Sequence, residues 1–132
     1  MAKRKQHQEQ KERYNGIVYV LKIEIGVDIV YKVGTTNRAA ITRALEVAGE
    51  LHQMLGYIPK ITIVAAKSTM FNYQVEADVL KLTEQWQYRL QCEREWSGQS
   101  ELRKMQECDL MRIYDECMLK GYAPVETFKV GW

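Results

Sequence analysis

The stretch GIVYVLKIEIGVDIVYKVG, residues 16–34, constrains the fold more than any other part of the chain. Two runs rich in β-branched residues flank a Gly-Val-Asp turn, which is the pattern of a β-hairpin. Side chains two apart on a strand share a face. Tyr19 therefore lies with Ile17, Leu21 and Ile23, and Lys32 lies with Val30 and Gly34, while Tyr31 and Val33 point the other way. Whether Lys32 or Tyr31 meets Tyr19 across the hairpin depends on the pairing register, which the alternation leaves open.

Beyond the hairpin, TTNRAAITRALEVAGELHQMLG has the spacing of a helix. Ile41, Leu45, Ala48 and Leu55 form its apolar stripe, Thr36 or Asn37 supplies its cap, and Gly56 ends it. YIPKITIVAAK reads as a short buried strand. A second helix is expected from about Asn72 to Leu90, with Val75, Val79, Leu82, Trp86 and Leu90 on one side and Glu76 and Asp78 facing solvent. A third is expected from about Glu101 to Lys120, with Leu102, Met105, Leu110, Ile113 and Cys117 as its apolar positions. The order β-β-α-β-α-α implies a small α+β fold. The expected sheet is short, mostly antiparallel and three-stranded, with helices flanking it.

The 132 residues suit one domain with a single modest core. Residues 1–13 read as a basic flexible tail and residues 14–132 as one domain with a C-terminal helical extension. No apolar run approaches the roughly 20 residues of a membrane helix, and no signal-peptide pattern opens the chain. Cys92, Cys108 and Cys117 have no close metal spacing, so they read as reduced thiols and the chain as cytoplasmic. The net charge is only +2, yet Lys3, Arg4, Lys5, Lys11 and Arg13 crowd the tail. Such a segment approaches phosphates and gains affinity by releasing counterions, or simply frays in solvent.

VYVL in the first strand, YKVGTT running from the second strand into the Gly-x-Thr turn after it and Arg43 in the first helix together resemble the GIY-YIG endonuclease superfamily. The nearest likeness is to its phage and bacterial branch, whose second motif reads Y-K-[IV]-G-x-T. SGQSEL reproduces that branch's late Gly-x-x-Glu at Glu101, so the resemblance runs from Gly16 to about Glu101. Four features depart from it. Gly16 stands one residue farther from Tyr19 than in the first motif. Leu102, Arg103 and Lys104 follow the late Glu, where the branch tends to be aromatic. Lys32 stands where the three-residue second motif has its tyrosine. Leu80 stands where the branch has a histidine four residues after a helical glutamate, the position of Glu76.

The resemblance implies metal-assisted hydrolysis of a DNA phosphodiester, with Mg²⁺ or Mn²⁺ as cofactor. Negative charge gathers on the phosphate oxygens as the nucleophile enters, and an arginine fork and a divalent cation stabilise it. A tyrosine hydroxyl or a lysine orients or deprotonates a water at hydrogen-bond distance. Carried over, Tyr19 acts on the water, Lys32 or Tyr31 assists, Arg43 holds the scissile phosphate and Glu101 ligates the metal. Lys3, Arg4, Lys5, Thr36 and Arg38 are the candidate DNA contacts. Tyr19, Arg43 and Glu101 are expected to converge on one concave, positively biased face. Lys32 is expected beside Tyr19, because Gly34 must keep that face clear.

Without the resemblance, each residue has a plainer reading. Tyr19 is then a core residue with its hydroxyl at the rim, Arg43 a solvated arginine and Glu101 a helix-starting carboxylate. Two further functions stay open. One is a catalytically weak or inactive nucleic-acid-binding member of the superfamily. The other is a protein-binding module, such as a phage accessory factor acting in the host cytoplasm through Tyr114, Tyr122, Phe128 and Trp132. A nuclease of this size has no separate specificity module, so a homodimer or a protein partner is expected beside DNA.

Overall fold

A computed structural model describes residues 16–90, 96 and 98–120. Lys3, Arg4 and Lys5 of the basic tail, and Tyr122, Phe128 and Trp132, lie outside the described residues.

Strands β1 (Gly16–Ile25) and β2 (Asp28–Thr36) form the expected hairpin. Gly26 takes φ 59 in its two-residue turn, and Val27 has no positive φ. Glycine at the first turn position, where other residues would be strained, matches the right-handed twist of the strands. Helix α1 (Ala40–Leu55) follows and ends on Gly56 at φ 81. Strand β3 (Lys60–Thr69) then pairs antiparallel with β1. Helix α2 (Asn72–Leu82) leads to a 3₁₀ turn at Glu84–Trp86 and a second at Gln99–Glu101. Strand β4 (Leu102–Arg103) and helix α3 (Glu107–Leu119) complete the order.

The fold is α+β, but its antiparallel sheet has four strands in the order β3-β1-β2-β4, not three. The fourth is β4, which pairs Leu102 with Lys32 and Arg103 with Tyr31. Two residues are too short for an alternation signal, so the segment reads as the start of a helix; that helix begins only at Glu107.

Both faces of the sheet are covered. Tyr19, Leu21, Ile23 and Val30 pack with α1, while Val18, Val20, Tyr31 and Val33 pack with α2 and α3. The buried stripe of α1 is Ala40, Ala44, Val47 and Leu51. Ile41 and Leu45, expected in the core, are 56% and 67% exposed. The small side chains bring the helix close to the sheet, which outweighs the greater hydrophobicity one position along. The cap also differs, because Ala39 precedes the helix without a side-chain bond. Thr36 Oγ1 instead accepts from the Arg38 N–H at 3.0 Å.

Strand β3 is neither short nor buried: it forms one edge of the sheet and is half exposed. Helix α2 stops at Leu82, leaving Leu82 exposed and Trp86 in the 3₁₀ turn. Tyr114 is fully buried, donating to the Val18 carbonyl at 2.6 Å and accepting from Lys67 N–H at 3.2 Å. It is a core residue, not part of a protein-binding surface.

Candidate active site

Register builds the centre of the site. Tyr19 pairs directly with Gly34, and Lys32 lies diagonally across on the same face. Lys32 Nζ donates to the Tyr19 hydroxyl at 3.1 Å and lies 5.2 Å from the centre of its ring. Both residues are almost wholly buried, at 1% exposure each. Gly34 gives the phenol its room: a Cβ there would stand 2.3 Å from the Tyr19 hydroxyl oxygen.

A buried ammonium needs a charged or hydrogen-bonding partner. Lys32 has one in Glu101, whose Oε2 accepts from Nζ at 2.5 Å. Pairing of β4 with β2 sets this contact, since Leu102 stands opposite Lys32. The 3₁₀ turn before β4 then carries Glu101 across the strand, with Glu101 N–H bonded to Gly98 O at 3.1 Å.

A second carboxylate, Glu76, belongs to the same electrostatic field. Burial raises its pKa above the usual glutamate value, the charge of Glu101 raises it further, and Lys32 opposes the change. Glu76 does not face solvent as expected; it is half-buried on α2. The signal lay in the spacing. Asn72, Val75, Glu76 and Val79 follow the i, i+3, i+4, i+7 pattern of a buried helix face. A carboxylate inside such a stripe marks a polar site beneath it.

Arg43 approaches from α1. Burial works against its charge, but the Tyr19 hydroxyl, Glu50 and Glu46 hold its pKa above the usual arginine value. Its Nη1 lies 3.4 Å from Glu46 Oε1 and 3.5 Å from Glu50 Oε1. Those carboxylates are themselves tied down, Glu46 by Arg38 at 2.7 Å and Glu50 by the Trp96 indole N–H at 2.9 Å.

Lys32 therefore links the Tyr19 hydroxyl to Glu101, and Arg43 borders the same hydroxyl from α1. Tyr31 does not join them. It lies on the opposite face, donates to Glu107 Oε1 at 3.1 Å, and has its pKa pushed up to about 12 by burial and by Glu107. Thr36 is buried beside the site, and Arg38 is exposed but paired with Glu46. Among the described residues the site shows none of the expected positive bias: Lys32, Arg38 and Arg43 stand against Glu46, Glu50, Glu76 and Glu101.

The donor set suits a hard divalent cation. Glu76 and Glu101 offer carboxylate oxygens, and the charge of Glu101 disfavours ionisation of Glu76, which a bound cation would relieve. Among the described residues, no group of three or more His, Cys, Asp or Glu is placed to hold a metal ion. Water and phosphate oxygens would supply the rest of the shell, as magnesium prefers.

No protein-family model matches the chain, and no curated protein or solved structure matches it. No described helix is long and apolar enough to cross a membrane.

Proposed function

We propose that the chain is a metal-dependent DNA endonuclease of the GIY-YIG type, hydrolysing phosphodiester bonds. The observation that carries this reading is the buried Tyr19 hydroxyl, which takes a hydrogen bond from Lys32 and perturbs Arg43. Because Lys32 donates to the phenol oxygen, the Tyr19 O–H is free to point elsewhere and orient a water. Arg43 offers a planar fork to two phosphate oxygens as charge develops on them. Glu101 and Glu76 would hold Mg²⁺ or Mn²⁺, which supplies charge neutralisation at the phosphate. Lys32 holds Glu101 in place. The partner is DNA, with a homodimer or a second protein supplying specificity.

The test is incubation of supercoiled plasmid with Mg²⁺ or Mn²⁺, comparing the wild-type chain with Glu101→Ala. Nicking by the wild type that disappears in the variant is the expected result. Equal behaviour of the two proteins, nicking or not, refutes the assignment.

A second reading has its own observation. Lys32 is neutralised by Glu101, and Arg43 by Glu46 and Glu50, so the site's charges are satisfied internally. That arrangement favours a weak or inactive member that binds nucleic acid or a protein as an accessory factor. DNA binding without nicking would select it.

A further inference from the structure

Arg103 is the most buried arginine among the described residues, at 3% exposure, and among those residues no carboxylate lies within ion-pair distance of it. Burial lowers its pKa, with Glu84 and Glu101 opposing from farther off. A guanidinium taken out of water is costly unless its N–H groups are matched. Here they are matched by four hydrogen bonds.

The partners fall into two groups. Nη1 donates to Ser100 O at 2.7 Å and to Leu102 O at 2.9 Å, the carbonyls on either side of Glu101. Nε donates to Thr83 Oγ1 at 2.9 Å and Nη2 to Leu80 O at 3.2 Å, at the C-terminal end of α2. Helix ends leave carbonyls without partners, and a cation there also complements the helix dipole. Thr83 is fixed in turn, donating to Val79 O at 2.7 Å.

We propose that Arg103 is a positioning residue that cross-ties the turn presenting Glu101 to the helix presenting Glu76, setting the two carboxylates for one divalent cation. This rests on the nuclease reading for the cation, while the cross-tie stands on the hydrogen bonds alone. The planar fork is essential, because a lysine ammonium at the same place cannot span four acceptors in two directions. Sequence spacing gives no hint of it, since Arg103 falls in a segment expected to be helical, outside its apolar positions.

The test uses the full chain, with Arg103→Lys and the milder Thr83→Val, which removes the Nε acceptor together with the Thr83 bond to Val79 O but keeps the guanidinium. Amide hydrogen exchange and Mn²⁺ binding are measured on each. Exchange at Glu101 and Leu102 is expected to quicken by about tenfold in Arg103→Lys, with the β1–β2 amides unchanged. Mn²⁺ affinity is expected to fall about 10–100-fold, the usual cost of losing a group that orients a ligand. Thr83→Val should show both effects in smaller measure, which keeps the test valid if Arg103→Lys does not fold. Unchanged Mn²⁺ affinity in variants that fold overturns the proposal and leaves Arg103 a purely structural brace. If the wild type takes up no Mn²⁺, the nuclease reading fails, and the cross-tie is judged on the Lys32 ammonium signal by NMR. That signal should exchange faster in Arg103→Lys if Glu101 is held through Arg103, and an unaltered signal overturns the proposal.

Discussion

The Tyr19 hydroxyl lies directly over Gly34, so close that a Cβ at position 34 would come within 2.3 Å of it and 3.1 Å of Lys32 Nζ. Gly34 has no positive φ. The residue is therefore required for space and not for backbone conformation. Overpacking of this kind typically costs about 1–3 kcal/mol. Gly34→Ala is expected to lower stability by that amount in denaturant titration and to abolish nicking by displacing the phenol. Gly49 is the control, since nothing lies within 4 Å of a Cβ there and it sits inside α1. Gly49→Ala should stabilise the chain by about 0.5–1 kcal/mol and leave nicking intact. Equal effects at the two positions would show that crowding against Tyr19 is not the reason for Gly34.

Glu76 gives a pH signature. Its folded pKa lies above the ordinary value of about 4.3, through burial first and the charge of Glu101 second. A raised carboxyl pKa means that ionisation opposes folding. The contribution is favourable in acid and is lost as pH rises through the folded value. Glu76→Gln should therefore raise Tm at pH 7 without metal, by about 2–4 °C, and the gain should vanish below pH 4. The same change should weaken Mn²⁺ binding by at least about tenfold, since the site loses an anionic oxygen ligand. Calorimetry across pH reads the first effect and metal titration the second. A lower Tm at pH 7 would contradict the assignment of Glu76 to this field.

The hairpin was legible because strand alternation and a glycine turn carry their own geometry, and Gly56 marked the end of α1 for the same reason. Gly34 needs a clear face, and the alternation of β2 puts Lys32 on that face beside Tyr19. What escaped were features fixed by tertiary contact. Ala40 and Ala44 bury where Ile41 and Leu45 looked more apolar, because close approach to the sheet decides that face. Strand β4 consists of two residues held by β2, with Arg103 also bridged to Gln87. No local pattern announces it. Glu76 is charged, which favours solvent, yet its spacing puts it on the buried face of α2.

The Lys32–Glu101 contact should behave as a coupled pair. Lys32 is buried, while Glu101 keeps 28% of its side chain exposed, so solvent screens part of the attraction. Contacting residues in one network show coupling of about 0.5–3 kcal/mol, and the exposure of Glu101 places this pair toward the lower end. A double-mutant cycle of Lys32→Met and Glu101→Gln is expected to give about 1 kcal/mol in denaturant unfolding. Additive effects within about 0.3 kcal/mol would mean that the short contact contributes nothing to folding.

Arg43 tests mechanism against plain electrostatics. Glu46 and Glu50 compete with any phosphate for its guanidinium. Such exposed pairs are worth up to about 1 kcal/mol each, so Glu46→Gln should tighten DNA binding by at most about fivefold. Arg43→Lys keeps the charge but loses the planar fork that meets two phosphate oxygens at once. If the clamp tightens as charge develops, this variant should bind DNA nearly as well as the wild type yet cleave far more slowly. Losing one transition-state contact typically costs about 2.7–4 kcal/mol, or roughly a hundredfold to a thousandfold in rate. A binding role appears in the dissociation constant, whereas a catalytic one appears in single-turnover cleavage. Stability should change little, because Arg43 is partly exposed and flanks the buried stripe of α1. Single-turnover cleavage that survives Arg43→Lys unchanged would remove the clamp and leave Arg43 as a charge on a DNA-facing surface.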